Sequence, residues 1–445
     1  MKNLITTLRN IWAIEDLRSR ILTSLGLILI YRLGSYVVLP GVDSIKLQSA
    51  KHSAEGIVGL INIFAGGAFS RASIFALGIM PYISASIVIQ LLSMAVPYFQ
   101  KLQKEGESGR KKINQYTRLL TIVVTIFQAP GYLSTQIRNV PGAVVDPSSF
   151  WWFQSLLILV TGTMFVMWLG ERITDKGIGN GISILIMVGI VARLPFAFVS
   201  ELGSRIEGEG GGLVMLLFEI VMLLLVIIAS ILLVQGTRRI PVQFAKKIVG
   251  NKQYGGVRQY IPLKVNAAGV MPIIFAQAIM LIPAYLVGFA QADSLSGMSA
   301  ALNDRYGFWH NVIFAILIIA FTYFYTAIAV NPIQMAEEMK RNGGFVPGVK
   351  PGKKTAEFLD SVMSKITLPG SIFLAIVAVL PAFAVKMNIT PEFSQFYGGT
   401  SLLILVGVVL DTLQQIESHL LNRHYDGLMK SGRIKGRTSM SMATA

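Results

Sequence analysis

Long apolar segments, separated by shorter polar ones, run through the whole chain. An apolar segment of about 20 residues crosses a bilayer as a helix, because a helix rises about 1.5 Å per residue and the hydrocarbon core is about 30 Å thick. The predicted spans are 21–38, 74–96, 119–137, 152–170, 182–200, 213–235, 267–290, 311–331, 366–385 and 399–417. The pattern therefore predicts an all-α membrane protein with ten transmembrane helices.

A second apolar segment, 57–70, precedes the span at 74–96, but it is too short to cross and is broken by Gly66 and Gly67. A short segment of small residues before a spanning helix is typical of a stopper that lies against a channel mouth. A loop that rests on the membrane surface would show the same pattern, so both interpretations stay open at this point.

Composition agrees with a membrane protein and excludes several kinds of site. The chain is 53% hydrophobic and 14% charged, whereas soluble globular domains carry about 25% charge. It has no cysteine, which excludes disulfides and thiolate metal sites, and its four histidines are scattered. We therefore expect no cofactor and no metal. The N-terminal segment lacks a small-residue cleavage site after a short apolar core, so we expect it to be retained.

Positive charge is concentrated in alternate polar segments. Most of the 39 Lys and Arg residues lie in 1–20, 98–118, 171–181, 236–266, 332–365 and 418–445. Because basic segments stay on the cytoplasmic side of a membrane, this distribution predicts that both termini are cytoplasmic. An even number of spans agrees with that orientation, in the plasma (inner) membrane.

Two of the basic segments, 236–266 and 332–365, are long and are punctuated by glycine and proline. We expect them to form ordered hairpins that project into the cytoplasm. Their charge either serves only to keep the loops inside or docks an anionic partner, such as ribosomal RNA or an acidic protein surface.

The acidic, glycine-rich segment 201–212 divides five predicted spans from five. A linker at this midpoint would let two halves move against each other, and five-plus-five inverted repeats are a common membrane architecture. The repeat is inferred from the number of spans alone. The predicted parts are the N-terminus 1–20, the first half 21–200, the exterior hinge 201–212, the second half 213–417 and the tail 418–445.

The predicted spans contain few ionisable residues, of which Arg32, Glu219 and Asp411 stand out. Ion-coupled carriers and intramembrane proteases need such residues near mid-membrane, so both classes are disfavoured. A pore sealed by apolar side chains is the other possibility. Ile79 with Ile83, and Ile182 with Ile186, have the i, i+4 spacing that places a pair on one helix face. Isoleucines in membrane helices usually face lipid or other helices, so spacing alone does not decide.

Several motifs, in order along the chain, carry a more specific signal. They are FALGIMPYISASIVIQLL (75–92), KEGESGRKKINQYTR (104–118), VTGTMFVMWLGERITDKGIGNGISI (160–184), IPLKVNAAGVMPIIFA (261–276), FVPGVKPGKKTAEFLD (345–360) and YGGTSLLILV (397–406). In these blocks the chain resembles the SecY family of protein-conducting channel subunits.

The resemblance implies ten helices in two pseudo-symmetric inverted halves, which form a clamshell around an hourglass pore. It also implies an apolar ring at the waist of the pore. Carried onto this sequence, the ring consists of Ile79, Ile83, Ile182, Ile186, Ile274 and Ile404. Segment 57–70 matches the family's plug, with Ile57, Leu60, Ile61, Ile63, Phe64, Gly66 and Gly67 as its candidate residues.

The family also has a lateral gate between spans two and three on one side and seven and eight on the other. Candidate polar residues there are Ser84, Ser86, Gln90, Gln128 and Gln277. The loops 236–266 and 332–365 match the family's docking loops for the ribosome and the ATPase SecA. The candidate docking residues are Arg238, Arg239, Lys246, Lys247, Lys252, Arg258, Arg341, Lys350, Lys353 and Lys354.

Two positions depart from the family pattern. Asn251 and Lys252 stand where the first loop often has a basic pair, and Lys350 stands where the second commonly has an arginine. Lysine keeps the charge but loses the bidentate fork of arginine, so docking geometry there is open.

The resemblance implies a channel that passes unfolded preproteins and recognises signal peptides, with the small subunits SecE and SecG as partners. No GxxxxGK[ST] motif is present, so the energy is expected to come from SecA or the ribosome. A secondary transporter with five-plus-five inverted repeats is the alternative.

Overall fold

The computed structural model describes most of the chain. The residues it describes are 12, 14–49, 62, 64–146, 148–206, 212–244, 247–249, 252–254, 258–277, 279–280, 304 and 306–430.

Helices make up most of the described structure. They are α1 (Glu15–Gly34), α2 (Ser44–Ser49), α3 (Met80–Ala95), α4 (Pro97–Lys104), α5 (Glu107–Tyr132, followed by a π-helical turn at Leu133–Arg138), α6 (Ser149–Lys176), α7 (Gly181–Ile206), α8 (Gly212–Gln235), α9 (Phe308–Ala329), α10 (Pro332–Arg341), α11 (Lys353–Lys386), α12 (Pro391–Ser394) and α13 (Gly399–Lys430).

Among the described residues, six helical segments are long and apolar enough to cross a membrane. They are α6, α7, α8, α9 continued into α10, α11 and the first part of α13. A seventh is possible if α3 and α4 form one span with a bend of 100°. The bend lies at Val96, which is extended because the residue before a proline avoids the helical region.

A mostly helical, multi-pass membrane protein is therefore confirmed, whereas the number of ten spans stays a prediction. Two predicted spans, 21–38 and 119–137, fall on α1 and α5. A third, 267–290, is described only at 267–277 and 279–280. The segment 201–212 is less of a linker than predicted, because α7 continues to Ile206 and α8 begins at Gly212.

The predicted helix at 74–96 begins later than expected. Residues 65–79 form successive turns, and the helix starts only at Met80, with Pro81 in its first turn. Gly66, Gly67 and Gly78 have positive φ, which a continuous right-handed helix does not allow. Nearly all of this irregular segment is buried, in keeping with the rule that non-helical backbone at membrane depth is tolerated only inside protein.

The expectation of an all-α fold is wrong in the polar loops, whose described residues include five short strands. They are β1 (Thr237–Phe244), β2 (Lys247–Val249), β3 (Lys252–Tyr254), β4 (Arg258–Lys264) and β5 (Gly344–Phe345). Antiparallel pairing gives one sheet in the order β4-β1-β5 and a small hairpin of β2 with β3. The loop 236–266 is the predicted hairpin, but 332–365 is mostly helical, since it holds α10 and the start of α11.

Candidate channel and docking surface

Five of the six predicted ring residues meet in one apolar cluster. Ile79, Ile186 and Ile404 are buried there, with exposures of 5, 7 and 8%, and Ile83 and Ile182 pack against them. They come from the start of α3, the start of α7 and the start of α13. Ile274 is half-buried and follows Ile273, which belongs to a separate cluster.

One face of α7 places the ring next to the predicted plug. Ile182, Ile186, Gly189 and Arg193 follow each other at helical spacing and so share that face. At Gly189 a Cβ would lie 2.4 Å from the carbonyl oxygen of Phe64 and 3.3 Å from the amide nitrogen of Gly66. The plug backbone therefore rests directly on α7, one turn beyond Ile186.

Two arginines bind the predicted plug segment at a single carbonyl. Arg71 Nη2 and Arg32 Nη1 donate to the carbonyl oxygen of Gly66, at 3.0 and 3.3 Å. Both guanidinium groups also lie over the ring of Tyr36, at 4.1 and 5.5 Å from its centroid. Such contacts hold the turn at Gly66, and no acidic partner for either arginine lies among the described residues.

Arg193, on α7, approaches the same turn. A Cβ at Gly67 would lie 3.0 Å from Arg71 Nη2 and 3.4 Å from Arg193 Nη1. Glycine is favoured here because φ is +85°, a backbone conformation that residues with side chains rarely adopt. Phe64 of the plug is buried in the cluster that contains the ring. The other candidate plug residues, Ile57, Leu60, Ile61 and Ile63, lie outside the described part of the chain.

The predicted gate residues have different surroundings. Ser86 and Gln90 line a polar cavity of about 410 Å³ between α3, α4 and α5. The Gln90 side chain also lies near Tyr325 on α9, which belongs to the second half. Ser84 instead donates to the carbonyl of Met80 in its own helix. Gln128 is exposed on α5, and Gln277 is half-buried.

The two long basic loops form one unit rather than two. β1 pairs with β4 over seven residues and with β5 from the other loop. An apolar core lies beneath this sheet and unites the hairpin with α10 and α11. Its buried members are Ile240, Val242, Leu263, Met339, Val346, Leu359 and Met363. We call the sheet β4-β1-β5, with α10 and the first turns of α11, the cytoplasmic unit, after the side of the membrane predicted for these loops.

Seven of the ten candidate docking residues are exposed on the cytoplasmic unit or, for Lys350, in the segment between β5 and α11. They are Arg238, Arg239, Arg258, Arg341, Lys350, Lys353 and Lys354. Lys354 lies 3.0 Å from Glu357. Lys247 lies on β2 and Lys252 on β3, and only the backbone of these two strands is described. Lys246 is not among the described residues. The unit thus presents a positive surface on a rigid support.

Sequence reasoning missed three residues of the candidate channel. Gly189 was overlooked because its role depends on Phe64, which is far away in the sequence. Arg193 lies inside the predicted span 182–200 and could have been found, since an arginine within a span marks a polar contact. Arg71 lies between two apolar segments, and nothing in the sequence pairs it with Gly66.

The comparisons with known proteins decide the family. A model of the SecY family matches residues 73–413, which is more than half of the chain. The chain belongs to the SecY family. Protein translocase subunit SecY from Streptomyces scabiei is 42% identical over 445 residues, which cover 96% of this chain and all of the relative. The subunit of the same name from Escherichia coli K12 is 41% identical and covers 95% of this chain.

Solved structures give the same fold. A protein conducting channel superposes with a TM-score of 0.62 at 16% identity and covers 90% of this chain and 92% of the other. Sec61 from a canine ribosome-channel complex of the endoplasmic reticulum gives 0.59 at 16% identity, with the same coverage. At 16% sequence identity, structural similarity shows only the fold. The family is shown by the SecY relatives, which are 42% and 41% identical.

Proposed function

We propose that this chain is the channel subunit of a protein translocase, which passes unfolded preproteins across the plasma membrane. The observation that carries the proposal is the convergence of five isoleucines in one cluster, with the plug seated one helical turn away on the same face of α7. Family membership supports the same conclusion. A member of this family is a transport protein and not an enzyme.

On this proposal, ten helices in two inverted halves enclose an hourglass pore, and 201–212 acts as the exterior hinge. Both termini are cytoplasmic. The isoleucine ring excludes water and so blocks ions while the channel is idle. When a chain enters, the plug moves and the branched side chains fit around the passing polypeptide.

Apolar segments leave sideways into lipid through the gate between α3 and α9. Leu or Ile at the centre of a bilayer helix gains roughly 0.3–0.6 kcal/mol, while Asp, Lys or Arg costs roughly 2.5–3.5 kcal/mol. The free energy of transfer therefore sorts the segments once the gate gives them access. Ser86 and Gln90 offer polar contacts to a segment in transit.

The driving force comes from outside the chain. The positive surface of the cytoplasmic unit suits an anionic partner, and SecA and the ribosome are the partners proposed for it. One structural neighbour, yeast Ssh1, is bound to a ribosome. SecE and SecG are the proposed small membrane subunits. The secondary transporter with five-plus-five repeats is disfavoured, because the relatives that match over the full length are translocase subunits.

The test removes the apolar seal. We expect a variant with Ile79, Ile83, Ile182 and Ile186 changed to glycine to conduct ions at rest, because the narrowest part of the pore would admit water. Planar-bilayer conductance measures this. The control changes four exposed isoleucines to glycine, namely Ile228, Ile316, Ile372 and Ile376. Equal conductance in the ring variant and the control would overturn the proposed seal.

A further inference from the structure

Three charged side chains lie buried where the first half of the chain meets the second. Glu201 and Arg205 are on α7 and Glu219 is on α8, and their side chains are at most 1% exposed. Arg205 Nε lies 3.0 Å from Glu201 Oε1, and Arg205 Nη2 donates to Glu219 Oε1. We call these three residues the ionic cluster.

Further hydrogen bonds tie the ionic cluster to the rest of the second half. Arg205 Nη2 donates to the carbonyl oxygen of Asn388 at 2.9 Å. Glu201 Oε2 accepts from the amide and the hydroxyl of Thr390, at 2.8 and 2.5 Å. The hydroxyl of Tyr397 donates to the backbone carbonyl of Glu219 at 2.8 Å. The end of α7 is thus fixed to α8 and to the turn before α12, while α8 is fixed to the turn after α12.

The charges of the ionic cluster do not balance. Two carboxylates face one guanidinium, and among the described residues the groups that face Glu219 with a charge or a titratable proton are Glu201, Arg205 and Tyr397. An uncompensated charge in such a site is costly, so a buried group tends to become neutral instead. One proton would remove the excess negative charge.

The geometry indicates where that proton binds. Glu219 Oε2 is buried and has no hydrogen-bond partner in the part of the chain that the structure describes. The carboxyl groups of Glu201 and Glu219 contact two nitrogens of one guanidinium, Arg205 Nε and Nη2, and are therefore neighbours. Two carboxyl groups that share a site cannot both ionise readily, and they hold one proton between them.

We propose that Glu201 and Glu219 share one bound proton, which with Arg205 makes the ionic cluster neutral and holds the two halves together at the ends of α7 and α8. This goes beyond the proposed transport function, because it assigns a proton-binding site to the hinge. It also implies that the hinge is a fixed joint rather than a loose linker, and that the joint weakens when the proton is lost.

The first test is infrared spectroscopy of the full chain in lipid nanodiscs near neutral pH. We expect the C=O band of a protonated carboxylic acid in the wild type, and we expect Glu219→Gln to lose it. Glu201→Gln is the second variant, in case the first does not fold. Glu392→Gln is the matched control, because Glu392 is exposed on the neighbouring α12. A folded Glu219→Gln with an unchanged carboxylic-acid band would overturn the proposal.

The second test is the pH dependence of thermal unfolding. The folded chain keeps a proton that the unfolded chain releases in the ordinary range for glutamate. Wild-type stability should therefore fall as pH rises above that range, by up to tenfold in the folding equilibrium constant per pH unit. Glu219→Gln should lose this slope, because its amide is neutral at every pH. If the stability of Glu219→Gln fell with pH as steeply as that of the wild type, this result would contradict a shared proton. Neither test depends on transport.

Discussion

At the scale of single residues, the candidate channel depends on close approaches between backbones. Gly189 lets the carbonyl of Phe64 come nearer to α7 than any side chain would allow. Arg32 and Arg71 then hold the next turn through the carbonyl of Gly66. The sequence predicted Gly66 and Gly67 as parts of a plug, but it could not predict their partners, because these contacts join segments that are distant in the chain.

We predict that Gly189→Ala unseats the plug and raises the resting ion conductance. A Cβ at this position would lie 2.4 Å from the Phe64 carbonyl oxygen, a backbone atom that cannot turn aside. The plug must therefore shift away from α7. Planar-bilayer recording of the reconstituted chain measures the change.

Gly203→Ala is the matched control, because Gly203 lies on the same helix and a Cβ there meets nothing within 4 Å. Both substitutions bring the same gain in helix propensity, about 1 kcal/mol. A conductance difference between the variants therefore reports the contact with the plug. If the resting ion conductance of Gly189→Ala were as low as that of Gly203→Ala, the contact between Gly189 and Phe64 would not contribute to the seal.

At the scale of elements, hydropathy predicted where the apolar segments lie better than it predicted whether they form helices or turns. The apolar run at 74–96 was correctly located, but its first residues are turns, because Gly78 has positive φ and Pro81 sets the start of α3. The residues of a buried turn are as apolar as those of a buried helix, so the hydropathy pattern could not distinguish the two conformations. The predicted hairpin at 236–266 is present, whereas its pairing with β5 depends on a contact across about 100 residues.

We predict that Leu359→Ala disorders the cytoplasmic unit without opening the channel. Leu359 is completely buried beneath the sheet β4-β1-β5, and losing such a side chain costs about 2–5 kcal/mol. Faster hydrogen exchange at the amides of β1 and β4 should reveal the loss. Leu368→Ala, at a position of α11 that is 53% exposed, is the control. Unchanged exchange in Leu359→Ala would show that this core does not support the sheet.

Charge on the cytoplasmic unit gives a separate prediction. Changing Lys350, Lys353 and Lys354 to glutamate should reduce SecA-driven export into reconstituted vesicles, because the reversed surface repels an anionic partner. The same three residues changed to arginine keep the charge and serve as the control. Export at the wild-type rate after charge reversal would rule out docking at these lysines, and the departure at Lys350 would then be without consequence.

At the scale of the whole molecule, the two halves are joined in unlike ways at two places. The ionic cluster fixes α7 to α8 through buried charges, whereas α3 and α9 meet through Gln90 and Tyr325. A clamshell needs one joint that holds and one seam that opens. The polar contact at Gln90 is the weaker of the two, since its carboxamide oxygen has no hydrogen-bond partner among the described residues. We therefore propose the seam between α3 and α9 as the place where the halves separate.

We predict that fixing this seam blocks release of apolar segments into lipid. The chain has no cysteine, so Gln90→Cys with Tyr325→Cys introduces the only thiols, and a short bismaleimide can join them. The linked channel should fail to insert an apolar segment, because α3 cannot move away from α9. Each single-cysteine variant, treated in the same way, is the control for the reagent. Insertion at the control rate in fully linked protein would place the lateral exit elsewhere, since two helices joined by a short linker cannot part to admit a helix about 10 Å wide.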